Sequence, residues 1–137
     1  MSLLLASCSA VCGSRMINTD STRYASVEER AEVLHEVVTF RRTYEALDFT
    51  IRARLDNGFP PGPSSWDIRV VARVPADELQ AWVPDGVRSS TSALPEWVSA
   101  VPTDLDLSGV TEWYVVWGKE VGLDRRARIV AYHLYAD

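Results

Sequence analysis

The segment Trp66–Val83, WDIRVVARVPADELQAWV, constrains this chain more than any other. Trp66, Ile68, Val70, Ala72 and Val74 alternate with Asp67, Arg69, Val71 and Arg73. That period of two describes a half-buried strand, mostly apolar on one side and charged on the other. Pro75 changes the pattern, because proline lacks only an N–H that a first helical turn does not use and its φ is already helical. Asp77 and Glu78 then place negative charge where a helix dipole favours it, and Leu79, Trp82 and Val83 fall at i, i+3 and i+4. Pro84-Asp85-Gly86 ends the run. The expectation is a strand leading directly into a short helix, both feeding one core.

Leu47–Leu55 repeats the strand signal, with Leu47, Phe49, Ile51, Ala53 and Leu55 alternating with Asp48, Thr50, Arg52 and Arg54. A loop of about ten residues joins the two strands, on the long side for a hairpin and made semi-rigid by its prolines. If the strands pair, Phe49 and Ile51 face the same core as Ile68 and Val70. Upstream, Ser26 followed by Glu29 has the form of a capping box. It predicts a helix over about 27–38, with a Val-rich strand over 33–40 as the competing reading. Downstream, Pro95 opens a short helix that turns Trp97 and Val101 inward. Glu112–Val121 and Arg128–Tyr135 are read as two further strands joined through Leu123–Ala127. Both are apolar on both sides, which predicts a central position or a second face covered by the N-terminal helix. The sum is an α+β domain, an antiparallel sheet of about four strands with two or three short helices packed mainly on one face.

With 137 residues, one domain is expected, placed at 26–137 behind a segment 1–25. The net charge of −5 argues against a general nucleic-acid binder, whose affinity is built from excess Lys and Arg. No run of 18 apolar residues is present. The only cysteines, Cys8 and Cys12, lie outside the patterned region, so no disulfide framework builds the fold.

Leu5-Ala6-Ser7-Cys8 resembles a bacterial lipobox, in which the cysteine becomes lipid-modified. The chain as a whole resembles the small bacterial lipoproteins that carry one compact domain behind a polar linker. That resemblance implies lipidation at Cys8, a membrane attachment through the lipid and a place in the cell envelope, and no particular activity. Residues 9–25 would be the tether. The match departs from a full signal: no Lys or Arg precedes Cys8, and the apolar run is only Leu3–Ala6. Either the match is accidental and the protein is cytoplasmic, or the true start lies upstream of Met1.

Four arginines, Arg52, Arg54, Arg69 and Arg73, project from the polar sides of the first two strands. Paired, they form a basic patch suited to phosphate, a carboxylate or an acidic partner. The plainer reading is a solvated face balanced by Asp48 and Asp67. Asp104–Gly109 matches the start of a calcium-binding loop, but position 12 is Val115, where a bidentate Glu is required, so a capped turn is expected. His35-Glu36 begins like a zinc-protease motif, but Thr39 stands where the second His would be. No metal site and no cofactor is expected. Of five tryptophans most should be core, and Trp66 and Trp117, near expected strand ends, are the candidates for exposure. The leading functional expectation is a binding or interaction module using the sheet face or the Pro-rich loop. The alternatives are a cytosolic partner-binding regulator or inhibitor, and a small hydrolase assembled from scattered carboxylates and His133, with no residue singled out as catalytic.

Overall fold

The computed structural model describes residues 14–56, 62–89 and 91–136. Leu5–Cys8, Cys12 and most of the Pro-rich loop after Asp56 lie outside the described residues. One antiparallel sheet organises the chain, with strands β1 (Ser14–Asp20), β2 (Ala46–Asp56), β3 (Gly62–Arg73), β4 (Val87–Arg88), β5 (Glu112–Val116), β6 (Lys119–Asp124) and β7 (Ile129–Ala136). Their spatial order is β1-β2-β3-β7-β6-β5-β4. The expected pairing of the first two long strands is present, with Phe49 opposite Val70 and Ile51 opposite Ile68.

The expectation of about four strands is corrected to six strands of five or more residues, plus the two-residue β4 at one edge, among the described residues. Two physical causes account for the difference. Glu112–Val121 is not one strand, because Trp117-Gly118 reverses the chain and pairs Val116 with Lys119. Gly118 adopts φ +73, a left-handed conformation that glycine reaches without steric cost. Ser14–Asp20, within the stretch expected to be a tether, is an edge strand, so the sheet begins at Ser14 rather than at 26. Edge strands bury little, and Met16 and Asn18 face solvent there. The small α+β character remains.

Helix α1 (Val27–His35) begins as its sequence requires: the Ser26 hydroxyl accepts the Glu29 N–H at 3.1 Å, and Glu28 and Glu29 occupy the first turn. Arg30 fastens the helix to the sheet. Its guanidinium donates to the Leu47 carbonyl at 3.0 Å and to the Asp48 carboxylate at 2.7 Å. The segments opened by Pro75 and Pro95 are 3-10 helices, Ala76–Trp82 and Glu96–Ala100.

The sheet has two cores, and the expectation that helices pack mainly on one face is corrected with it. On the inner face α1, the connector after it and the 76–82 helix cover Phe49, Ile51, Ile68, Val70, Ala72 and Val130. Burying a side chain such as Phe49, which is fully inaccessible, contributes about 1.5–3 kcal/mol. On the opposite face the 96–100 helix sets Trp97, Val98 and Val101 over Val71, Trp113, Ile129 and Ala131. This second core explains why β7 is apolar on both sides. β7 lies between β3 and β6, and its second face is covered by the 96–100 helix, not by α1.

Candidate functional site

A groove of about 520 Å³ lies on the inner face. That lies within the range of small-molecule sites. Its floor is Tyr132 and Leu134 of β7, with Trp66 of β3 and Lys119 of β6; its walls are Val37–Phe40, Arg42 and Ala81–Pro84. Three rings from distant parts of the chain form a triangle. Phe40 meets Trp82 at 5.5 Å and Tyr132 at 5.3 Å, and Trp82 meets Tyr132 at 5.7 Å, all edge to face. That arrangement aligns positive ring edges with negative ring faces.

Two cations frame the triangle. The Arg42 guanidinium lies 5.4 Å from the Trp82 ring centre and 5.9 Å from that of Phe40, and it donates to the Ala81 carbonyl at 3.1 Å. The Lys119 ammonium lies 5.8 Å from the Tyr132 ring centre. Among the described residues no carboxylate lines the groove. Burial pushes the Tyr132 hydroxyl up to about 12, only partly countered by Arg42, so it stays a neutral phenol. Burial likewise drives Tyr44 far above the ordinary tyrosine range. Three buried side-chain N–H groups of the lining residues, Arg42 Nε, Trp66 Nε1 and Trp82 Nε1, have no acceptor among the described residues.

The opposite face carries the four arginines singled out from sequence. β2–β3 pairing sets Arg52 opposite Asp67 and Thr50 opposite Arg69. The four do not converge on one point. Arg69 grips Asp67 through two bonds, Nε to Oδ1 at 3.1 Å and Nη2 to Oδ2 at 3.0 Å. Arg73 borders a separate concavity with Arg30, Asp48 and Asp104. Arg52 and Arg69 share a polar depression of about 280 Å³ with Asp20, Arg23 and Asp67, so it carries both signs. Arg54 sits with Arg52 and Met16 at the β1–β2 edge.

His133 Nε2 lies 2.8 Å from Asp67 Oδ1, and its ring meets Trp97 at 4.9 Å and Tyr135 at 4.6 Å, tilted to both. Burial alone would raise the Asp67 carboxyl, but hydrogen bonds from Arg69 and His133 outweigh it and hold the group below its usual value. Among the described residues no hydroxyl or thiol is hydrogen-bonded to His133. Two carboxylates elsewhere on the molecule are engaged in structural bonds. Glu112 is held by Arg125 and Tyr114, and Asp124 accepts the Ala127 N–H. His35 shares a hydrogen bond with Tyr44 at 3.1 Å, and burial, then nearby Arg41, lowers its pKa.

The Asp104–Gly109 stretch is a capped turn, with Asp106 accepting the Ser108 N–H at 3.0 Å and Leu105 and Leu107 packed under the second core. Among the described residues no cluster of His, Cys, Asp and Glu is arranged to hold a metal ion, and no helix is long and apolar enough to cross a membrane. Trp66 is half-buried in the groove, whereas Trp117 is 92% exposed at the tip of the β5–β6 turn. Cys8 lies outside the described residues. The groove had no signature in the sequence, since Phe40, Arg42, Trp82, Lys119 and Tyr132 share no motif or period.

No protein-family model, no curated protein and no solved structure matches this chain.

Proposed function

We propose that this chain is a small-molecule-binding module, and that its ligand is an amphipathic anion: an aromatic or short acyl body carrying a carboxylate, sulfonate or phosphate. The observation that carries the reading is the charge of the groove. In a protein of net charge −5, it is walled by three packed aromatic rings and two cations and, among the described residues, lined by no carboxylate. An apolar ligand body gains by covering the ring faces, and its anion is met by Arg42 and Lys119. The envelope location belongs to this proposal as well. A module tethered through Cys8 would hold its ligand at the cell surface.

The test uses a fluorescent pair, the anionic 1-anilinonaphthalene-8-sulfonate and the neutral N-phenyl-1-naphthylamine. The anionic probe is expected to bind about tenfold more tightly, equivalent to about 1.4 kcal/mol. An Arg42→Ala/Lys119→Ala double variant should bind the two probes equally. Equal affinity of the parent for both probes, or an unchanged preference in the double variant, would overturn the assignment.

A further inference from the structure

One wall of the groove is held in place by side chains rather than by backbone. It is the connector 36–45, which leaves α1 and leads into β2. Its first residues continue the helix, where Val37 and Val38 donate to the Leu34 carbonyl, and its last joins the sheet, where Glu45 donates to the Arg73 carbonyl. Among the described residues no backbone hydrogen bond ties residues 39–44 to the rest of the chain. Three side chains hold that stretch down instead. Phe40 enters the aromatic triangle, Arg42 donates to the Ala81 carbonyl, and Tyr44 meets the Trp82 ring at 6.3 Å. Tyr44 also shares a 3.1 Å hydrogen bond with His35 Nε2, and the two rings lie 5.8 Å apart. His35 ends α1 and Tyr44 stands two residues before β2, so this bond closes the connector on itself. Neither residue lines the groove.

We infer that residues 36–45 form a strap over the groove, that the His35–Tyr44 pair is its clasp, and that protonation of His35 loosens the strap and weakens ligand retention. This rests on the reading of the groove as the binding site. Tyr44 stays a neutral phenol, because burial drives it far above the ordinary tyrosine range. A neutral imidazole with its proton on Nδ1 accepts the phenolic O–H at Nε2; a protonated ring carries N–H at both nitrogens and accepts nothing. The charge would also stand half-buried beside Arg41 of the strap. Glu32 and Glu36, its acidic neighbours on α1, are exposed; Arg42 is turned to Ala81, and Glu45 at the far end pairs with Arg128. Burial, then Arg41, holds the folded His35 below its ordinary pKa. By linkage the protonated ring favours the state in which the strap has lifted, so acid opens the groove and neutral pH closes it.

The experiment follows binding of the neutral N-phenyl-1-naphthylamine to the full chain at pH 8 and pH 5, a range over which the probe carries no charge. Affinity is expected to be about fivefold weaker at pH 5, the lower end of ordinary coupling between sites. His35→Gln, whose amide bonds Tyr44 at either pH, should keep the parent's pH 8 affinity at both. His133→Gln, at the chain's other histidine, should keep the parent's fall. Tyr44→Phe loses the clasp and keeps its ring against Trp82, so at pH 8 it should bind as the parent does at pH 5. In the ligand-free chain the Trp82 indole N–H resonance should move with pH, with a midpoint below the ordinary histidine value, and stay fixed in His35→Gln. Equal affinity of the parent at both pH values, a fall that survives His35→Gln, or a Trp82 resonance indifferent to pH would overturn the inference. A kept preference for the anionic probe with no pH response overturns the strap alone. Because the Trp82 resonance needs no ligand, it supports or overturns the strap even where that preference is absent and the groove reading fails.

Discussion

Asp67 and His133 stand diagonally across the β3–β7 ladder, with His133 Nε2 2.8 Å from Asp67 Oδ1. The same carboxylate receives both arms of Arg69, so three side chains from two strands share one partly buried cluster. Because the folded Asp67 titrates below its unfolded value of about 3.9, its contribution to stability is present above that pH and is lost as pH falls through the lower folded value. Asp67→Asn is therefore expected to cost about 0.5–1 kcal/mol at neutral pH, a modest figure because the group is partly solvated. The gap between parent and variant urea midpoints should narrow as pH falls below about 3.9. A gap independent of pH would show that the cost arises from packing alone.

Ser21 is buried where β1 leaves the sheet. Its hydroxyl accepts the Phe49 N–H at 3.0 Å and donates to the Asp48 carboxylate at 3.3 Å, so a side chain continues the ladder after the β1 backbone turns away. Ser21→Ala leaves the Phe49 N–H buried without an acceptor, a loss of about 1–3 kcal/mol. Chemical denaturation should show a lowered midpoint with an unchanged slope. Hydrogen exchange at Phe49 should accelerate more than at Ile51.

Gly122 lies opposite Trp113 with the indole packed over its bare backbone. A Cβ built at Gly122 would fall 2.5–2.7 Å from three indole carbons. Gly122→Ala must displace the ring from the second core and should cost about 1–3 kcal/mol. A paired Trp113→Leu change should recover part of that loss, measured as a double-mutant cycle.

Glu112 takes two parallel bonds of 2.8 Å from Arg125 and a third from the Tyr114 hydroxyl. The Arg125 bonds are the larger cause of a carboxyl pKa near 2, against the burial that opposes them. NMR titration of the Glu112 carboxyl is expected to give that low value in the parent and one close to the ordinary glutamate range in Arg125→Gln. Any stability from this pair is present above about pH 4.5 and lost as pH falls toward 2; with Arg125 at the surface it amounts to less than about 1 kcal/mol. An unchanged Glu112 titration in the variant would assign the shift to Tyr114.

Local pattern by itself determined the long β2 and β3 strands, the face that carries Arg52, Arg54, Arg69 and Arg73, the pairing of Phe49 and Ile51 with Val70 and Ile68, and the Ser26 cap of α1. A period of two and a capping hydroxyl act within a few residues, so their outcome is readable along the chain. Tertiary structure alone decided that β7 enters between β3 and β6, that Trp117-Gly118 is a reversal, that Ser14–Asp20 adds an edge strand, and that the 96–100 helix closes a second core. It also brought Phe40, Trp82 and Tyr132 into one groove and Asp67 to His133. These relationships rest on ladder hydrogen bonds and on apolar surface shared by residues far apart in the chain. The free energy of that burial depends on where the whole chain can close, not on the preference of any one segment.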